Sequence, residues 1–299
     1  MKEVGFDLGL LGGRRVWSGL IDAVCAAGDR ALALQRAGAA RRARSKADRS
    51  PVTEADEAVE RMLAEYVARR CPQAGFVGEE TGARGARRRL RFVVDPIDGT
   101  RAFVRDLPGW SILVGVELDT RPVAGVALMP ARGDLFVGVV GEGASCNGRP
   151  VRLSRTRRLD RAAVGHGGLA QFVEVGATGL LEVLGRATWL QRGFGDFDGY
   201  RMLLLGHLDA LVEPAVRRWD LSAPAALLRA AGGRLTAADG SDDLDAGWSV
   251  ASNGPLHRPL LELLRSRTPG AEYSKRNRRP PLALHEGIEP GGGRPPGSR

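Results

Sequence analysis

Phe92-Val93-Val94-Asp95-Pro96-Ile97-Asp98-Gly99-Thr100 is the stretch on which the reading of this chain turns. A β-branched run ends at Asp95, Pro96 turns the chain, and a second carboxylate, Asp98, is presented with Gly99 and Thr100 behind it. Two carboxylates three residues apart at a strand end can converge on one hard cation or bridge two. If a short helix starts behind them, the N–H groups of Gly99 and Thr100 form an anion site suited to a phosphate oxygen. The same residues admit another reading, an Asx-turn in which both aspartates satisfy local backbone donors.

Working outward, residues 16–37 place Val16, Leu20, Val24, Ala27, Ala31 and Leu34 at three- and four-residue steps, which predicts an amphipathic helix. A second helix is predicted after Ser50: Thr53 and Asp56 form a start signal, Val59, Met62, Leu63 and Val67 a stripe, and Pro72 lies just beyond the end. From Gly75 to Ser154, short β-rich segments separated by Gly, Pro and Asn-Gly predict a mostly antiparallel meander. Beyond it the texture is mixed. Strands are expected near residues 162–165, 187–190, 209–213, 235–237 and 248–251. Helices are expected over 168–184, 199–205, 219–231 and 256–264, the third closed by Gly232 and Gly233. Helices and strands in both halves imply stacked α and β layers. The expected organisation is an N-terminal lobe over residues 1–154, a C-terminal lobe over 155–266, and a disordered basic tail over 267–299. That tail holds 6 of the 17 prolines.

The 299 residues, 43% hydrophobic and 26% charged, suffice for a sizeable core. The net charge of +9 points at first to a nucleic-acid or anionic-membrane partner. Only Lys2, Lys46 and Lys275 are lysines, however, and the other 41 basic residues are Arg in a chain rich in Ala, Gly and Pro, the signature of a G+C-rich coding sequence. Aromatic residues make up 5%, and no basic run is interleaved with stacking Phe or Tyr. Neither nucleic acid nor a membrane is therefore expected as a partner. Cys25, Cys71 and Cys146 are odd in number and far apart, which argues against a disulfide framework or a zinc knuckle. With no cleavable leader at the N-terminus and no run of 18 apolar residues, a soluble cytoplasmic protein is expected.

Other acidic residues stand at element ends: Asp56, Glu79 in Gly78-Glu79-Glu80, and Asp220. Each has a plain structural reading as a capping-box partner, a solvated strand end or a charge on a helix dipole. Together the order matters. K-x-x-x-S-P-V-T-x-A-D (Lys46 to Asp56), G-E-E (Gly78 to Glu80), D-P-I-D-G-T (Asp95 to Thr100) and W-D-L-x-A…A-G-G (Trp219 to Gly233) resemble the magnesium-dependent, lithium-sensitive inositol monophosphatase superfamily over roughly residues 15–265. C-N-G at Cys146–Gly148 also matches the family's hairpin.

The resemblance implies an α/β fold, the layered αβαβα sandwich of the inositol monophosphatase and fructose-1,6-bisphosphatase type, in a homodimer. It further implies a phosphomonoesterase with two or three Mg²⁺ ions per site. Glu79, Asp95 and the carbonyl of Ile97 would hold the first ion, and Asp95, Asp98 and Asp220 the second. A third would sit near Glu79 through waters, with Asp56 close by. Thr100, paired with Asp56 and helped by Glu79, would orient a metal-activated water for in-line attack, while the amides of Gly99 and Thr100 take a phosphate oxygen. Cys146 lacks the C-x₅-R cradle of cysteine phosphatases.

The segment Arg192-Gly193-Phe194-Gly195-Asp196-Phe197-Asp198-Gly199-Tyr200, with V-R-x-W-D-L and A-S-N-G-P-L-H (Ala251–His257), resembles the histidinol-phosphate phosphatase branch. That implies a cationic leaving group, with Asp196, Asp198 and Glu213 as substrate-side carboxylates. Asp196 and Asp198 read equally as loop and cap residues. The expected substrate is L-histidinol phosphate. An inositol phosphate, sugar phosphate or nucleoside monophosphate is the alternative within the fold, and polyanion or nucleic-acid binding on a phosphatase fold is the alternative of a different class. His166, His207, His257 and His285 do not cluster with the carboxylates and read as structural or solvent-facing. Arg84, Arg87, Arg88, Arg89 and Arg91 read as an attractor of anions or as a solvated loop.

Overall fold

The run that opens at Leu90 becomes a nine-residue strand, buried at eight of its positions, and the rest of the molecule is layered about it. The computed structural model describes residues 5–45, 51–85 and 87–267. Lys46 to Ser50 and the tail beyond residue 267 lie outside the described residues.

In chain order the elements of the N-terminal half are α1 (Arg14–Arg36), β1 (Arg44–Ser45), β2 (Pro51–Val52), α2 (Glu54–Arg70), β3 (Gly75–Gly78), β4 (Gly82–Arg84), β5 (Leu90–Asp98), α3 (Thr100–Val104), β6 (Ser111–Leu118), β7 (Arg121–Met129), β8 (Asp134–Val139), β9 (Gly143–Cys146) and β10 (Arg149–Pro150). The C-terminal half continues with β11 (Ala163–His166), α4 (Leu169–Glu174), α5 (Gly179–Ala187), β12 (Leu190–Gly193), α6 (Asp196–Leu204), β13 (Ala210–Pro214), α7 (Arg218–Ala230), β14 (Arg234–Thr236), β15 (Trp248–Ser252) and α8 (His257–Arg267). Short 3₁₀ turns precede α1 and β11 and follow α1.

An eight-stranded sheet runs β10-β9-β8-β7-β6-β5-β3-β4, and a five-stranded sheet β12-β11-β13-β15-β14. From β5 to β10 the first is the expected antiparallel meander, with β3 parallel to β5. In the second sheet β11 pairs in parallel with β12 and β13, connections that need the helical crossovers α4–α5 and α6.

Strand alternation sorts the core into layers. Ile112, Val114 and Val116 of β6 face α1 and α2, whereas Leu113 faces the middle layer with Leu221 of α7 and Leu203 of α6. On β13, Leu211 points into that middle layer, and Ala210 and Val212 point out toward Phe172, Leu184 and Leu260 of α4, α5 and α8. The result is five layers, α-β-α-β-α. Among the described residues no helix is long and apolar enough to cross a membrane.

Several boundaries differ from the sequence expectation, each for a local reason. The single helix expected over 168–184 is two, because Gly176 adopts a left-handed φ of 67° and the Ala177 amide bonds back to Phe172. The strand expected over 187–190 lies at Leu190–Gly193, since the Thr188 hydroxyl caps the Leu184 carbonyl and extends the end of α5. Helix α6 begins at Asp196 rather than 199, set by a long-range bond from the Phe197 amide to Asp98.

Helix α7 lies against β6, β7 and β8 over a stripe of glycines. Gly115, Gly125 and Gly138 are cross-strand neighbours. An added Cβ at Gly115 would stand 2.1 Å from Ser222 Oγ, and one at Gly125 2.8 Å from the Ala223 carbonyl oxygen. Gly115→Ala is therefore expected to destabilise the protein by ~1–3 kcal/mol. Gly185→Ala, at an exposed position of α5 with nothing within 4 Å, is expected to gain up to ~1 kcal/mol. Denaturant midpoints read both; equal midpoints for the two variants would contradict the close-approach account.

Candidate active site

In an uninterrupted strand, residues three apart face opposite sides. On β5 they do not, because Asp95 pairs with Leu113 and Asp98 with Ser111, three steps against two. The extra residue is a bulge at Pro96-Ile97, where Pro96 brings no N–H to the ladder. Both aspartates therefore face the middle layer, as Leu113 does. They are buried, at 2% and 5% exposure.

Neutral donors hold one oxygen of each carboxylate, local ones for Asp95 and Asp220 and long-range ones for Asp98. Asp95 Oδ1 accepts the Ile97 amide at 3.0 Å. Asp98 Oδ2 accepts the Ser111 hydroxyl at 2.8 Å and the Phe197 amide at 2.7 Å. Asp220, in the first turn of α7, accepts the Arg217 amide at 2.8 Å in a capping box. The turn reading holds for Asp95 and the cap reading for Asp220, whereas Asp98 is held by Ser111 and Phe197 rather than by a local backbone donor. All three converge, one oxygen each from Asp95, Asp98 and Asp220 lying within 4.8 Å of one another.

Glu79 follows β3, its amide bonded to the Val94 carbonyl at 3.2 Å, and lines the same cleft. Gly99, at φ 79°, caps α3, so the amides of Gly99 and Thr100 open a turn in which the helix supplies them no carbonyl. The Thr100 hydroxyl is 2.9 Å from the Ile97 carbonyl and 3.5 Å from Asp56 Oδ1. Asp56, fully buried, accepts the Thr53 amide and hydroxyl through Oδ2, in the capping box expected of it.

Asp196, Glu213, Tyr200, Gln171 and Val216 line the same cleft. Glu213 alternates with Val212 on β13 and so faces inward, where it is hydrogen-bonded to Tyr200, whose hydroxyl is 2.8 Å from Ser249 Oγ. An added Cβ on Gly99 would meet Asp196 Oδ2 at 2.9 Å, so the missing side chain makes room for Asp196. Asp198 does not line the cleft: it pairs with Arg132 at 3.1 Å and Arg201 at 3.6 Å. Sequence reasoning gave no role to Tyr200, Gln171 or Ser111. Gln171 has a local signal, a capping bond from the Gly168 amide, whereas Ser111 reaches Asp98 only through strand pairing.

Other singled-out residues have structural partners. His257 bridges Thr236 and Ser252 at 3.0 Å to each, burial holding its pKa down to about 4, and Asn253 ties Ser154 and Thr156 to the same corner. The Arg run is partly engaged: Arg88 with the Pro72 and Ala74 carbonyls, Arg89 with Asp119, and Arg91 with buried Glu117. Glu117 also receives Arg218 and Ser222, which flank Asp220, and so anchors the start of α7. At Cys146, burial and Asp134 push the thiol up, which keeps it protonated.

The cluster is electrostatically costly. Burial, then Glu79, Asp98 and Asp220, push the Asp95 carboxyl well up. Burial, then Asp196 and Asp220, do the same to Asp98. Against the Arg217 hydrogen bond, burial and the neighbouring charges push Asp220 up to about 7, and burial brings Asp56 to about 6. No Lys, Arg or His is among the described residues lining the cleft. Oxygen donors alone, with excess negative charge, fit a hard divalent cation.

Comparison with known proteins agrees with this chemistry. The model of the inositol monophosphatase family matches residues 17–268, and that family is metal-dependent. A histidinol-phosphatase of Mycobacterium tuberculosis is 37% identical over 225 residues, covering 74% of this chain and 86% of its own. A histidinol-phosphatase of Streptomyces coelicolor is 34% identical over 232 residues, covering 75% and 87%. The solved structure of an inositol monophosphatase from Anabaena (Nostoc) superposes with a TM-score of 0.73 at 26% identity, covering 85% of this chain and 98% of that one.

A carboxyl raised in the fold contributes stability below its ordinary pKa and loses it as pH rises through the folded value. For Asp220 that window runs from 3.8 to about 7, so the ion-free protein loses stability across it. Asp220→Asn keeps an oxygen for the Arg217 amide but carries no charge. In EDTA at pH 8 it is expected to be more stable than wild type by ~1–2 kcal/mol, after discounting for its partial exposure. With millimolar Mg²⁺ the wild type should gain more stability than the variant, which lacks one carboxylate of the cluster. Thermal melts that rank the variant below wild type in EDTA, with an undiminished Mg²⁺ response, would contradict the charge account.

Proposed function

This chain belongs to the inositol monophosphatase family of phosphatases, and we propose that it hydrolyses a small phosphate monoester with a cationic alcohol group, most specifically L-histidinol phosphate, with Mg²⁺ as its cation. The observation that carries the substrate reading is that Asp196, Glu213 and Tyr200 line one cleft in which no Lys, Arg or His is among the described lining residues, Arg101, whose charge reaches Asp196, standing outside that lining. Burial pushes Glu213 well up, against the Tyr200 hydrogen bond that holds it down. An ammonium or imidazolium placed there offsets that cost and donates charge-assisted hydrogen bonds to the carboxylates. The two relatives named histidinol-phosphatases support the same reading.

In this reading Glu79, Asp95 and the Ile97 carbonyl would hold one ion, Asp95, Asp98 and Asp220 would hold a second, and Glu79 would hold a third through waters. When bound, the ions neutralise the carboxylates, polarise a phosphoryl oxygen and make water more acidic. The chain's own residues do the rest. The Gly99 and Thr100 amides hold a phosphoryl oxygen. Thr100 Oγ1 would accept from the attacking water, its own proton turned from the Ile97 carbonyl at 2.9 Å to Asp56 Oδ1 at 3.5 Å. Asp56, which burial pushes up to about 6 in the ion-free site, is the acceptor for that proton. Asp196 and Glu213 orient the departing alcohol, and Tyr200 fixes Glu213. The likeness to the Anabaena inositol monophosphatase keeps inositol 1-phosphate as the second reading.

Phosphate release across a panel of monoesters tests the choice. kcat/KM for histidinol phosphate is expected to exceed that for inositol 1-phosphate and nucleoside monophosphates by ~10-fold or more, and Glu213→Gln to remove most of the difference by losing ~1.5–3 kcal/mol of charge-assisted binding. Preference for a neutral alcohol, or a Glu213→Gln variant with unchanged selectivity, would overturn the substrate reading.

A further inference from the structure

Helix α2 carries a second buried carboxylate one turn beyond Asp56. Glu60 is fully buried on the same inner face, and nothing in the chemistry above uses it. Its two oxygens accept consecutive amides of the turn between β3 and β4: Oε2 takes Glu80 N–H and Oε1 takes Thr81 N–H, both at 2.8 Å. The residue just before those amides is Glu79. We propose that Glu60 is a positioning residue for cation binding, holding the Glu79 turn so that the Glu79 carboxylate faces the cleft. The proposal rests on the reading that Glu79 is an ion ligand.

Three observations carry it. First, the grip is specific to that turn. Gly78 is fixed by ladder pairing with Gly82 and Val94, and the Glu79 amide by the Val94 carbonyl, but the β3–β4 ladder leaves the next two amides to be satisfied elsewhere. Second, the chemistry needs a carboxylate. Among side chains only Asp and Glu offer two acceptor oxygens with no competing donor, and a glutamine would turn an NH₂ group toward one of the two N–H groups. Third, the glycine of G-E-E is explained. An added Cβ at Gly78 would stand 2.4 Å from the Glu60 carboxyl carbon, so only a residue without a side chain admits Glu60 to its two amides. Asp56 and Glu60 thus divide one helix face between them, the first facing Thr100 and the second the turn that presents Glu79.

The test is Mn²⁺ titration calorimetry on the EDTA-stripped full-length protein, without substrate, for wild type, Glu60→Gln, Gly78→Ala, Glu79→Gln and Leu260→Ala. Loss of a group that orients a ligand weakens ion binding by ~10–100-fold. Glu60→Gln and Gly78→Ala are expected to raise the Mn²⁺ Kd by that factor. In turnover they should raise the Mg²⁺ concentration for half-maximal rate, while kcat at saturating Mg²⁺ stays near wild type. Leu260→Ala, a core truncation in α8 far from the turn, is expected to lower the melting temperature and leave the Kd unchanged. Wild-type Mn²⁺ affinity in Glu60→Gln would overturn the proposal, as would a Leu260→Ala variant whose affinity falls in proportion to its melting temperature. If Glu60→Gln does not fold, Gly78→Ala decides by the same readout. Wild-type affinity in Glu79→Gln would instead remove the reading beneath the proposal, so the two failures are told apart.

Discussion

Mutual repulsion among carboxylates at the end of β5 is the constraint on which the rest of the structure depends. Asp95 and Asp98 are buried, Asp220 offers an oxygen within 4.8 Å of theirs, and Glu79 lines the same cleft. Burying like charges together is unfavourable, and the raised pKa values of Asp95, Asp98 and Asp220 express that cost. The fold holds them with neutral donors: the Ile97, Phe197 and Arg217 amides and the Ser111 hydroxyl. Such donors fix geometry while leaving most of the negative charge in place, and so create a demand for a divalent cation.

Each donor comes from a different part of the chain, which ties the cluster to the layered architecture. Phe197 opens α6, Arg217 precedes α7, and Ser111 begins β6. Helix α7 can bring Asp220 to β5 because Gly115 and Gly125 let its backbone lie almost on the sheet. Glu117, buried between Arg91, Arg218 and Ser222, secures the start of that helix. Stability and site assembly therefore draw on the same contacts, and a defect in α7 packing is a defect in the geometry of the carboxylate cluster.

What was legible in the sequence follows from the range of the forces involved. The capping box at Thr53 and Asp56, the α3 start after Gly99 and the Asn147-Gly148 hairpin are local, and each stands where its residues predict. The acidic residues brought to the cleft were legible as a constellation through a family resemblance, because D-P-I-D-G-T, G-E-E and W-D are contiguous signatures. Asp198 was not, since its pairing with Arg132 crosses from α6 to the loop before β8, and composition cannot distinguish it from Asp196 two residues earlier. Nor could the sequence reveal that Phe197 starts a helix by donating to Asp98, ninety-nine residues away. The net charge of +9 does not report the acidic cleft, because the Arg residues of the chain outweigh it.

The most direct test of the central claim, that the β5 cluster exists to hold divalent cations, is anomalous diffraction from crystals of the protein soaked in Mn²⁺ at a concentration that supports turnover. The account predicts strong anomalous peaks bonded to oxygens of Asp95, Asp98 and Asp220, at roughly 2.0–2.2 Å for a cation of this size. Crystals of active protein with no peak at those carboxylates, or with Mn²⁺ held only elsewhere, would contradict it.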